Sequence, residues 1–243
     1  MSTRTFASLI VAAAATFAAH QAQAAIRVAV VANPSTGDDD TAAQLNDDTF
    51  YDFTATVVPV SDVDTAAELA AYDVVVFGDT SKNDMGFTQQ AADALLAWHQ
   101  AGGGIVGSGW VDYAIRGDAV DNTLDDLLPI DASPDGNNQY CNGSLTMTLA
   151  GPHPVTNGVS TLFGVGSANI EFNSLTPDGA NAVVLGTAGG NFCTDAPAQA
   201  VVVGTNGSGR QVYLGLLYMA KPLYSTAGLR SDDADHLLEN AVA

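Results

Sequence analysis

Gly107-Ser108-Gly109-Trp110 is the stretch of this chain whose residue types and spacing could support covalent chemistry. It follows Gly103-Gly104-Ile105-Val106, which reads as a strand, so the serine stands where a strand runs into a glycine-lined bend. A nucleophile on such a bend, a base within hydrogen-bond reach and backbone N–H groups aimed at a developing oxyanion together make an acyl-transfer site. Ser108 is the candidate nucleophile, and as a small residue it equally suits tight packing at the strand end. A second strand, Asp73 to Phe77, ends in Gly78-Asp79-Thr80-Ser81, and the amides of Gly78, Asp79 and Trp110 are placed to point into the same crevice. Asn33, just past the first strand, completes the candidate ligand pocket of Asn33, Gly78, Asp79, Ser108, Gly109 and Trp110.

The other reactive side chains add little to that site. His99 stands near the end of a helix beside Trp98 and suits a surface or macrodipole role. His153 lies between Pro152 and Pro154 and suits the fixing of a turn, while His236 is expected on the exposed side of the last helix. No pair of histidines has metal-ligand spacing. Asp38, Asp39 and Asp40 offer hard oxygen ligands for a cation such as calcium. They lack the alternating pattern and closing glutamate of an EF-hand, so a solvated acidic loop is the expectation, and no motif calls for a cofactor.

The chain has 243 residues, 27 acidic against 7 basic, and a formal net charge of -20. Such a field repels nucleic acid and anionic membrane surfaces. Residues 1–24 read as a removable signal peptide: Arg4 begins it, Phe6 to Ala19 is apolar, and Ala22-Gln23-Ala24 is a small-x-small cleavage site. The mature protein is then expected to start at Ala25, to form one domain over 25–243, and to be periplasmic or extracellular. No later run approaches the roughly 20 apolar residues that a bilayer requires. In an oxidising compartment Cys141 and Cys193, the two cysteines of the chain, are expected to pair.

The elements that position these residues alternate in type. Ile26 to Ala32 and Phe53 to Val60 read as strands, Ala66 to Ala71 as a short helix, and Thr88 to Ala101 as a longer one capped by Thr88 and stopped by Gly102-Gly103-Gly104. Strand and helix in turn imply a flavodoxin-like three-layer sandwich around a mostly parallel sheet. After Leu128-Pro129 the chain becomes rich in Gly, Asn, Thr and Ser, and short strands are expected at Ser144 to Leu149, Asn169 to Leu175, Ala182 to Thr187, Gln199 to Gly204 and Gln211 to Leu217. A helix from Asp232, capped by Ser231, closes this β-rich half.

The run from Tyr72 to Trp110 resembles the class I glutamine amidotransferase-like superfamily, in particular its ThuA-like branch. Gly151-Pro152-His153-Pro154-Val155-Thr156-Asn157-Gly158-Val159 is similar to the His-Pro-[Ile/Val]-Thr-x-Gly-[Leu/Val] segment of ThuA-like domains. Gly209-Arg210-Gln211-Val212-Tyr213-Leu214-Gly215 resembles their late glycine-bounded strand. In catalytic members the strand before the elbow ends in Gly-x-Cys-x-Gly, and matching Gly107 to the first glycine puts Gly109 in the place of the cysteine. The histidine that ThuA-like proteins often carry at this strand end is missing too. The resemblance therefore implies an amidotransferase-like domain without its nucleophile, binding a small polar ligand or carbohydrate at the strand ends. A secreted hydrolase using Ser108 or a bound metal, and an extracellular structural or surface-assembly protein, remain the alternatives.

Overall fold

Alternation of buried residues along short apolar strands decides which face of the sheet each helix covers. The computed structural model describes residues 24–31, 38–47, 49–77, 86–108, 110–116, 120–131, 138–173, 181–190, 198–218 and 227–243. The first half runs β1 (Ile26–Val31), α1 (Asp38–Leu45), β2 (Phe53–Val58), α2 (Ala66–Leu69), β3 (Val74–Phe77), α3 (Gln89–Gln100), β4 (Gly104–Gly107), α4 (Val111–Arg116) and α5 (Asp121–Asp125). Val28, Val30, Val74, Val76 and Val106 point to one face, where Ala42 and Leu45 of α1 pack with Leu237 and Leu238. Ala29, Val31, Val75, Phe77 and Ile105 point to the other, against Leu95 of α3 and Val111 and Ile115 of α4. Both faces are covered, which is why these strands are almost continuously apolar. Arg27 is the exception; it sits at the open start of β1 and forks onto Asp73 at 2.7 and 3.0 Å.

The second half contributes β5 (Asn138–Leu149), β6 (Leu162–Asn173), β7 (Val183–Gly190), β8 (Ala198–Asn206), β9 (Gly209–Leu214) and α6 (Asp232–Val242). The strand order is β2-β1-β3-β4-β9-β8-β6-β5-β7, nine strands in one sheet. Its first five strands are mutually parallel. The pairings among β5 to β9 are all antiparallel, so the expectation of a mostly parallel sheet is corrected to a sheet parallel on one side and antiparallel on the other. Connection length explains the change. Gly207-Ser208 is enough to join β8 to β9 as a hairpin, whereas parallel neighbours need a crossover.

Helix ends follow the expected chemistry in part. The Thr88 hydroxyl accepts the Ala91 N–H at 3.2 Å, and α3 closes through Gly102, at φ +125°, and the Gly103 N–H to Trp98 carbonyl bond of 3.2 Å. Ser231 precedes α6, but its hydroxyl donates to Asp232 and caps no helix N–H. α4 and α5 have too few residues for periodicity to reveal them in the sequence. Among the described residues no helix is long and apolar enough to cross a membrane.

Candidate functional site

The bend after β4 is a strand–turn–helix elbow: β4 ends at Gly107 and α4 begins at Val111. Gly107 fits because a Cβ there would meet Leu128 at 2.6 Å and Val111 at 3.1 Å. Ser108 still belongs to the sheet, since its N–H donates to the Phe77 carbonyl at 2.9 Å. Its side chain is fully buried, and its hydroxyl donates to the Leu216 carbonyl, just past β9, at 2.8 Å. That bond commits the hydroxyl to the main chain that continues from the neighbouring strand. Trp110 is half-buried on the far side of the turn and meets Tyr113 of α4 edge-on at 6.4 Å, with Tyr113 44% exposed. Asn33, Gly78, Asp79 and Gly109 lie outside the described residues.

Behind the elbow, where β9 runs out, the sequence hides a polar cluster that its residue types alone do not announce. The Tyr218 hydroxyl donates to the Ala234 carbonyl at 2.5 Å, and the Tyr218 carbonyl accepts from Thr41 at 3.3 Å and from Arg230. Arg230 also donates to the Gln44 side-chain oxygen, and Gln44 donates to the Leu229 carbonyl at 2.8 Å and to Asp235. These contacts tie α1, the end of β9, residues 229–230 and α6 together. Burial lowers the Arg230 pKa against the favourable charge of Asp235, and burial raises that of the Asp235 carboxyl. The available signal was the inward positions of α1, where polar Thr41 and Gln44 are buried together with Ala42 and Leu45.

His153 fixes a turn. Its Nδ1 accepts the Val155 N–H at 3.2 Å, and its own N–H donates to the Thr156 hydroxyl at 3.2 Å, closing a reciprocal cap on Pro154–Thr156. It borders a cavity of about 720 Å³ with Tyr51 and Asn157, and a second of about 470 Å³ that also touches Val74, Gly104 and Arg210. Val74 and Gly104 begin their strands, so the second cavity opens at the end of the sheet opposite the elbow.

Two histidines depart from expectation. His99 is not on the surface: it is fully buried, its Nδ1 lies 2.7 Å from the Gly103 carbonyl, and its Nε2 has no partner. The segment after α3 folds back over it, which sequence spacing could not show. Burial holds its pKa below the usual 6.5. The unfolded chain therefore takes up the proton first, so this contribution to stability is complete above about pH 6.5 and declines as the pH falls below it. His99→Asn, which can still donate to Gly103 but cannot titrate, should show a smaller loss of stability than wild type between pH 7 and pH 5. Equal losses in urea titrations of the two proteins would refute this. His236 is half-buried, stacked flat on Phe50 at 3.9 Å, rather than free on an outer face.

Asp38, Asp39 and Asp40 open α1 instead of forming a loop, and among the described residues no group of three or more His, Cys, Asp or Glu could hold a metal ion. Cys141 lies in β5; Cys193 lies outside the described residues.

No family profile matches the sequence, and no curated protein matches it. Solved structures do. A ThuA-like protein from Bacteroides uniformis ATCC 8492 superposes with a TM-score of 0.68 at 17% identity over 93% of each chain. Another from Parabacteroides merdae ATCC 43184 gives 0.59 at 14% identity, covering 90% of this chain and 88% of its own. PurLQS from Thermotoga maritima gives 0.58 at 14% identity, covering 89% of this chain and 97% of its own. At these identities the likeness establishes the fold.

Proposed function

We propose that this chain, built on the amidotransferase-like fold of the ThuA-like proteins, is an exported binding domain that carries no acyl-transfer chemistry. The observation that supports this reading is the Ser108 hydroxyl, buried and donating to the Leu216 carbonyl. A nucleophile needs its proton on a base and its oxygen open to substrate. Gly109, in the position that the resemblance gives to the catalytic cysteine, has no side chain to replace it. The ligand is a small polar molecule or a carbohydrate held at the strand ends, with the Trp110–Tyr113 pair as the aromatic surface against which a ring can stack. Carbohydrate enters through the ThuA-like resemblance. Export follows cleavage after Ala24, leaving one domain over 25–243.

Purified protein should hydrolyse neither glutamine nor activated esters above the rate of Ser108→Ala, and a fluorophosphonate should not label it. Turnover or labelling that Ser108→Ala abolishes would overturn the binding reading. A glycan and metabolite screen then identifies the ligand, and Trp110→Ala should weaken its binding about tenfold or more, the loss of one stacked ring.

A further inference from the structure

Glu239 is an acid placed where an acid is costly. It is fully buried in α6. Its Oε2 accepts the backbone N–H groups of Phe50 and Tyr51, each at 3.0 Å, while its Oε1 has no hydrogen-bond partner. The Tyr51 hydroxyl donates to Asn240 at 2.7 Å, and Asn240 donates to the Asn157 carbonyl at 2.8 Å, so the same turn of α6 grips the chain on both sides.

We propose that Glu239 is a protonation latch: neutral, it fastens the 49–51 segment leading into β2 onto α6, and ionised, it lets that segment go. In the neutral form the proton occupies Oε1, and Oε2 keeps both amides. In the ionised form a buried oxygen carries charge with no donor. The neighbouring charges make this worse. Asp235, one turn earlier on α6, is buried, and Asp47 faces the group from just beyond the end of α1. The basic side chains on this side of α6 are engaged elsewhere: Arg230 with Tyr218 and Gln44, and the His236 ring against Phe50. His153, beyond Tyr51, is occupied in capping its own turn.

Burial, with Asp235 and Asp47 adding to it, pushes the Glu239 carboxyl up to about 7, against the downward pull of the two N–H bonds. A raised folded pKa means that the stabilisation is fully present below the unfolded value, near 4.5, and is lost as the pH rises through about 7. The latch is thus closed in acid and fully loosened above neutrality. Its release frees the connection between α1 and β2, while the Gln44–Asp235 contact still holds the other part of α1.

Amide hydrogen exchange at Phe50 and Tyr51, corrected for the intrinsic effect of pH, tests this. Their opening constant should rise about tenfold between pH 6 and pH 8, while the Val76 amide in β3 should not follow. Glu239→Gln keeps an oxygen for both amides and cannot ionise, so its profile should be flat. Asp47→Asn keeps an oxygen for its own contacts with Thr49 and removes one neighbouring negative charge, which makes Glu239 easier to ionise. The rise in that variant should therefore level off at a lower pH than in wild type. A flat profile in wild type, or the same tenfold rise in Glu239→Gln, would overturn the proposal.

Discussion

Gly209→Ala should lower the melting temperature by about 10 °C, a loss of about 3 kcal/mol for a domain of this size. A Cβ at Gly209 would stand 2.2 Å from the His99 carbonyl oxygen and 2.4 Å from two atoms of its ring. Neither can retreat easily, because the ring is held at Gly103 and the carbonyl belongs to the last turn of α3, where it accepts the Gly102 N–H at 2.8 Å. The β8–β9 turn is seated on this helix end by further bonds: the Ser208 N–H donates to the Gln100 carbonyl at 2.8 Å, and Asn206 donates to the Asp126 carbonyl at 3.0 Å. Moving the turn would therefore move β9, which leads directly into Leu216, the partner of the Ser108 hydroxyl. Ser208→Ala, on the exposed side of the same turn, keeps its backbone bond and should change the melting temperature by less than about 2 °C. An equally small change for Gly209→Ala would show that α3 and the hairpin are not packed as described.

That contact also shows what the sequence could and could not disclose. The strand expected at Gln211 to Leu217 was legible, although it begins two residues earlier and ends at Leu214, and so was Gly102-Gly103-Gly104 as a helix stop, because both signals are local. The packing of one against the other is not local, and with it the burial of His99 stayed hidden. The parallel half of the sheet was legible from continuous apolar strands alternating with helices, whereas β5 starts before its expected bound because Asn138 to Gly143 is rich in Asn, Gln and Gly, and β6 because Gly164 and Gly166 at its outward positions interrupt the strand signal. At the site, Ser108 was found by type and spacing, but its orientation depends on Leu216, more than a hundred residues later. Thr41, Gln44, Tyr218, Arg230 and Asp235 were missed for the same reason: each is ordinary in its own segment and acquires its role from partners on others.

Reduction of the Cys141–Cys193 disulfide expected in exported protein should cost roughly 4 kcal/mol, the chain-entropy estimate for a loop of this length. For a domain of this size that is a fall of about 13 °C in melting temperature. The expectation rests on export and on the chain having two cysteines, of which Cys193 lies outside the described residues. Freshly exported, unreduced protein should resist thiol labelling at both positions, and dithiothreitol should bring its melting temperature down to that of the Cys141→Ser/Cys193→Ser double variant. Labelling of both cysteines without reductant would exclude the bond. A bond that forms but leaves the melting temperature unchanged on reduction would instead mean that residual structure in the reduced, unfolded chain or strain in the folded one offsets the entropy the cross-link removes.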